Sequence, residues 1–166
     1  MPADTPDPPR AGQESVWDYL RPPRLEPWRE RIVVWFAGER IIDTRRAWRV
    51  LETSHPPVYY LPPDDLRPGV LRPSEGAGSW CEWKGQASYL DVVVNDQTAP
   101  RAAFTYRTPT ERFRPIAGYV SLYAGPMQRC EVGGHLVTPQ PGGFYSGWIT
   151  PHVVGPFKGS PGTRHW

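Results

Sequence analysis

Residues 80–94 read WCEWKGQASYLDVVV. From Ala87 onward, Ser88, Leu90, Val92 and Val94 fall on one face of an extended chain, and Ala87, Tyr89, Asp91 and Val93 on the other. The run is rich in β-branched and aromatic residues. Gly85-Gln86 reads as a turn before it and Asn95-Asp96 as a turn after it, so it is a strand with residues 80–84 as its hairpin partner. The same pattern recurs along the chain. Residues 31–36 (RIVVWF), Ala37-Gly38 and 39–43 (ERIID) form a hairpin with a two-residue turn. Residues 130–132, Gly133-Gly134 and 135–137 form another. Residues 58–61 (VYYL), 102–106 and 118–123 add short strands, and 64–66 a single helical turn. One segment departs from this. In 44–52 (TRRAWRVLE), Ala47, Val50 and Leu51 share a helical face at i, i+3 and i+4. Asp43 or Thr44 can cap that helix and His55-Pro56-Pro57 ends it.

The expected fold is therefore mostly β: one compact domain of short antiparallel strands with one short helix. Its 166 residues suit a single domain, and 22 prolines and 16 glycines argue against long helices. Residues 1–14 are polar and Pro-rich and read as a disordered tail. Residues 15–166 are the domain. Within it, 15–30 is an arm that docks through Trp17, Tyr19 and Trp28, and 139–166 is an ordered Gly-, Pro- and ring-rich extension.

Several function classes are excluded at this level. The formal charge is only +2, with no basic stripe, which argues against nucleic acid. No apolar run approaches the roughly 20 residues that span a bilayer, and the opening stretch lacks a signal-peptide pattern, so a cytoplasmic location is expected. Cys81 and Cys130 are then expected as reduced thiols, Cys81 as a small buried one. The sequence carries no P-loop, GxGxxG, GxSxG, HExxH or CxxC, and no His spacing suited to a metal. Neither a metal nor a cofactor is expected.

Two clusters carry chemistry. Residues 52–60 (ETSHPPVYY) place Glu52, His55, Tyr59 and Tyr60 at the junction after the expected helix, where acid–base work is feasible. Residues 81–89 hold Lys84 between Trp83 and Gly85. Of 19 basic residues only Lys84 and Lys158 are lysine, and each lies between an aromatic residue and a glycine. Lysine is a compact donor whose pKa falls readily on burial, whereas arginine is a fixed planar fork. If charge alone mattered, arginine would serve at both.

Residues 41–62 (IIDTRRAWRVLETSHPPVYYLP), 80–94, 102–109 (AAFTYRTP) and 115–127 (PIAGYVSLYAGPM) together resemble the family called domain of unknown function 427. The ending, PQPGGFYSGWIT followed by VGPFKGSPGTRHW, resembles the C-terminal extension of a bacterial branch. The likeness runs from about Ser15 to Trp166. It implies a bacterial or fungal origin and a fold similar to the β-tent of methionine sulfoxide reductase B and of cereblon's ligand-binding domain. The paired CxxC zinc motifs of those relatives are missing here. One label attached to the family hints at nucleotidyl transfer, for which the chain lacks phosphate and metal motifs. The positions matching the family's motifs are Glu52, His55, Tyr59, Tyr60, Cys81, Lys84, Gly85, Tyr89 and Tyr106.

The leading expectation is a small-molecule pocket lined by Tyr59, Tyr60, Trp83, Lys84, Tyr89, Tyr106 and Trp148, with Glu52, His55 and Lys84 supplying polar contacts. A second reading is an enzyme whose catalytic candidates are Lys84, as base or amine nucleophile of lowered pKa, with Glu52 or His55. A third is an interaction module presenting Trp17, Trp28, Trp148 or Trp166 to a protein partner. A homodimer through the arm is compatible with each.

Overall fold

In the computed structural model, which describes residues 5–166, the hairpin signals translate directly into backbone. Ala37 and Gly38 both take positive φ (51° and 79°), as do Gly133 and Gly134 (57° and 82°), the backbone that type I′ two-residue turns require. The first turn folds Ile32–Phe36 onto Glu39–Thr44, and the second folds Arg129–Val132 onto His135–Leu136. Arg129–Val132 then pairs with Ile32–Phe36, giving a four-stranded antiparallel sheet.

A five-stranded sheet forms around Gly85–Val94, the longest strand, which pairs with Gln97–Thr105 along one edge. Its other edge takes Leu71–Pro73 over one half and Ser79–Cys81 over the other. Val120–Leu122 closes the far side of Gln97–Thr105. The third sheet is Arg24–Trp28, Ala47–Leu51 and Val58–Tyr60, in that order. Reciprocal backbone bonds between Leu61 and Val120 (2.8 and 2.9 Å) tie this sheet to the five-stranded one.

Two expectations are corrected. The stretch expected as a helix, residues 44–52, contains the strand Ala47–Leu51. It lies between two partner strands, and both of its faces are covered. Trp48 and Val50 meet one apolar cluster and Ala47 the other, so helical and strand periods fit equally and pairing decides. Thr44 uses its hydroxyl on the Arg46 N–H (3.0 Å) at a corner between sheets. The longest helical element is instead the 3-10 stretch Glu111–Ile116. The second correction concerns Gly85-Gln86. The turn comes earlier, at residues 82–84, and Gly85 already begins the strand.

The main core gathers Ile32, Val34, Ile41, Tyr59, Leu61, Val92, Leu122 and Trp148 between the sheets. A second apolar cluster, around Val50, Tyr60, Ala87, Phe104, Tyr106, Phe113 and Ile116, lies against the opposite face of the long strand. Leu90, Val92 and Val94 point into the first cluster and Ala87 and Tyr89 into the second, as their alternation requires.

Of the stretch expected as a tail, residues 1–4 lie outside the described part. Farther along, the Asp7 N–H donates to Gly155 O (2.8 Å), and Glu14–Ser15 pairs in parallel with Val153–Val154. Trp17 packs edge to face on Trp166 with ring centroids 5.1 Å apart, and its Nε1 donates to Pro156 O. No helix among the described residues is long and apolar enough to cross a membrane.

Candidate functional site

The second apolar cluster is not closed. Over it opens a cleft of about 310 Å³. Phe104 is the hub of its floor, with Tyr60, Tyr89, Tyr106 and Tyr123 edge to face around it at 5.8–6.2 Å. At the mouth stand Trp80 and Phe144, which are 70% and 66% exposed and are two of the most exposed large apolar side chains described.

Lys84 reaches this cleft because the turn at 82–84 is pinned. Thr110 donates its N–H to Lys84 O (3.0 Å) and its hydroxyl to Trp83 O (2.6 Å). Gly85 leaves the turn at φ 107°, a conformation that favours glycine. The Lys84 side chain is only 8% exposed, and its Nζ lies 5.7 Å from the Tyr106 ring centroid. Among the described residues this ammonium has no hydrogen-bond acceptor and no ion-pair partner. Tyr60, fully buried, carries a hydroxyl with no hydrogen-bond partner. Burial pushes its pKa well above the ordinary value, and the charges that act on it, on Cys81, Tyr123 and Glu52, belong to groups lining the same cleft.

His55 enters from the turn after Ala47–Leu51. The Gly147 N–H donates to Gln140 Oε1 (3.1 Å), which fixes the amide so that its nitrogen faces Lys158 O (2.8 Å) and His55 Nδ1 (3.1 Å). A Cβ on Gly147 would sit 2.5 Å from Gln140 Oε1 and 2.7 Å from Pro56 O, so only glycine permits this approach. An amide nitrogen is a donor, so His55 Nδ1 accepts and the ring proton sits on Nε2, 3.9 Å from Glu52 Oε2. Burial lowers His55 to about 4. The Glu52 carboxylate opposes the shift, and the cations of Lys158, Arg21 and Lys84 add to it. At neutral pH His55 therefore presents an N–H to its surroundings, and its only lone pair is already engaged. Glu52 pairs with Arg21 at 3.2 Å.

The structure brings Glu52, His55, Tyr60, Trp83, Lys84, Tyr89 and Tyr106 to one cleft. It does not bring Tyr59 or Trp148 there. Tyr59 alternates with Tyr60 along its strand and so faces the main core, where it packs on Trp28 (5.6 Å) and Trp148 (5.4 Å). Trp148 is 1% exposed and donates Nε1 to Leu122 O (2.9 Å). Sequence reasoning missed Trp80, Phe104, Tyr123, Phe144 and Tyr145 as lining residues. All were visible as rings in strand-like segments, with no signal to say which face each would take. Lys158 also lines the cleft. Its Nζ lies 5.5 Å from the Tyr145 ring centroid and donates to Trp166 O (3.2 Å). Cys81 is half-buried at the cleft, and Cys130 is sealed in the core; both are free thiols. Among the described residues no group of three or more His, Cys, Asp or Glu side chains is placed to hold a metal ion.

A family model described as Domain of unknown function (DUF427) matches residues 24–133, well over half of the chain. The chain belongs to this family. In this DUF427 member the matched segment supplies the floor, Lys84 and Glu52. Phe144, Tyr145, Ser146 and Lys158 come from beyond residue 133 and complete the far wall. No curated protein matches the chain.

Proposed function

We propose that the cleft binds a small organic molecule and that Lys84 is its principal polar contact. The reading rests on one observation: both lysines of an otherwise arginine-based chain border one aromatic-walled cleft, and Lys84 is buried there with no hydrogen-bond or ion-pair partner among the described residues. A mostly buried lysine whose ammonium makes no bond to the protein contributes little to the fold, so such a group persists where a function selects for it. An apolar cleft of about 310 Å³ with a few convergent donors has the proportions of a ligand site.

The enzymatic alternative is less favoured because His55 has no free lone pair toward the cleft in this arrangement, which removes it as a general base. The interaction-module alternative loses its named rings. Trp148 is buried, and Trp17, Trp28 and Trp166 are half-buried against neighbouring rings.

The test is a thermal-shift screen of a broad metabolite library against wild type and Lys84→Met. A ligand at about 100 times its Kd adds roughly 2.7 kcal/mol, a shift of about 5–10 °C at this size. A hit that raises the melting temperature of wild type and not of the variant supports the proposal. Hits that stabilise both alike place the ligand elsewhere and refute it.

A further inference from the structure

We infer that the ligand is a planar organic acid, its carboxylate held by Lys84 Nζ and Tyr60 Oη and its apolar body leaving the cleft between Trp80 and Phe144. The inference rests on the binding reading above and adds the chemical class. Lys84 brings a mostly buried side chain whose ammonium reaches the cleft with three donor protons and, among the described residues, no acceptor. Tyr60 independently brings a fully buried hydroxyl with no partner. A buried donor left unmade costs on the order of 1–3 kcal/mol, and an acceptor arriving with the ligand relieves it. Both groups border Tyr106, whose ring lies 5.7 Å from Lys84 Nζ and 6.4 Å from the Tyr60 ring. The inferred carboxylate sits beside the Tyr106 ring, between the two groups.

The lining charges are Glu52, Glu82, Lys84 and Lys158, and of these Glu82 stands exposed on the turn beside Lys84. Glu52 is engaged by Arg21, and Lys158 donates to Trp166 O. A carboxylate fits better than a phosphate. Phosphate sites recruit arginine forks, glycine-rich loops or helix N-termini, and the lining residues include neither arginine nor glycine. At roughly 30 Å³ per water-sized unit the 310 Å³ cleft holds about ten non-hydrogen atoms, so a larger ligand extends past its mouth. The exposed rings of Trp80 and Phe144 offer flat apolar faces at its mouth.

The experiment is isothermal titration of wild type, Lys84→Met, Lys84→Gln and Tyr60→Phe with three probes of one shape: 2-naphthoate, 2-naphthamide and 2-naphthylmethylammonium. Melting curves first confirm that each variant is folded, and the two Lys84 substitutions back each other up. Wild type should bind naphthoate at least about tenfold more tightly than the amide, as a charge-assisted hydrogen bond implies, and reject the ammonium. Loss of Lys84 should bring naphthoate down to the affinity of the amide and leave the amide unchanged. Tyr60→Phe should weaken naphthoate several-fold. Equal affinity for amide and carboxylate, or preference for the ammonium, overturns the organic-acid inference and leaves the cleft as a binding site. Displacement of naphthoate by millimolar inorganic phosphate overturns the carboxylate in favour of a phosphate. Failure of all three probes overturns the planar acid, while the cleft reading stands or falls by the metabolite screen.

Discussion

The Gln140 side-chain nitrogen lies 3.1 Å from His55 Nδ1, so a residue of the C-terminal extension sets the tautomer of a residue in the family segment. With Nδ1 as acceptor and the ring buried, His55 stays neutral down to about pH 4, against an ordinary value of 6.5. The unfolded chain then takes up a proton between pH 6.5 and 4 that the folded one does not. Stability must fall as pH drops through that window, by about 3 kcal/mol at most. His55→Gln should flatten this part of the pH–stability curve. Denaturation midpoints at pH 7, 5.5 and 4.5 for both proteins check it, and parallel curves would contradict it.

The two thiols should separate cleanly. Burial pushes Cys130 up to about 12, while Cys81 is half-buried at the cleft. A thiolate-directed reagent at pH 8 should modify one cysteine in the native protein and two after denaturation. Peptide mapping should place the native label on Cys81.

Arg49, on the strand Ala47–Leu51, ties the N-terminal region to the three-stranded sheet. It is 4% exposed, bonds Glu14 at 3.1 Å and Glu26 at 2.6 Å, and stacks its guanidinium 4.5 Å over Trp28. Arg49→Met should cost about 2 kcal/mol by leaving Glu14 without a cation and Glu26 with Arg24 alone, both at partly exposed sites. Arg49→Lys should recover only part of this, because lysine cannot bond both acids in the plane of a fork. Urea midpoints of the three proteins decide it.

Trp80 and Phe144 should behave in the opposite way. Both are mostly exposed, so each alanine substitution should change stability by no more than about 0.5 kcal/mol. If they flank a ligand, each should still weaken binding of a screening hit several-fold. A stability loss without an affinity loss would make them packing residues.

The sequence showed its turns more clearly than its helical signal. Gly38 and Gly133-Gly134 announce positive φ, and the alternation of residues 87–94 sorts Leu90 from Tyr89, so two hairpins and the long strand are readable in advance. Residues 44–52 are not, because a strand covered on both faces buries Ala47, Val50 and Leu51 without regard to period. The candidate site was half legible. The excess of arginine made Lys84 and Lys158 stand out, and both line the cleft. Tyr59 and Tyr60 could not be told apart. Which neighbour faces the core depends on the sheet register against Ala47–Leu51, a long-range fact no local pattern holds. Phe144 and Tyr145 were invisible as lining residues because the extension reaches the cleft through backbone bonds such as Lys158 N–H to Ser54 O (2.9 Å).

The most direct test of the central claim, that Lys84 is kept for a ligand and not for the fold, is urea denaturation of wild type and Lys84→Met with nothing bound. An ammonium that bonds nothing in the protein adds little to the empty fold, and methionine buries the same stem without the charge. The account predicts a variant as stable as wild type or more stable, by up to about 2 kcal/mol. A variant less stable by 2 kcal/mol or more would make Lys84 a structural residue and contradict the account.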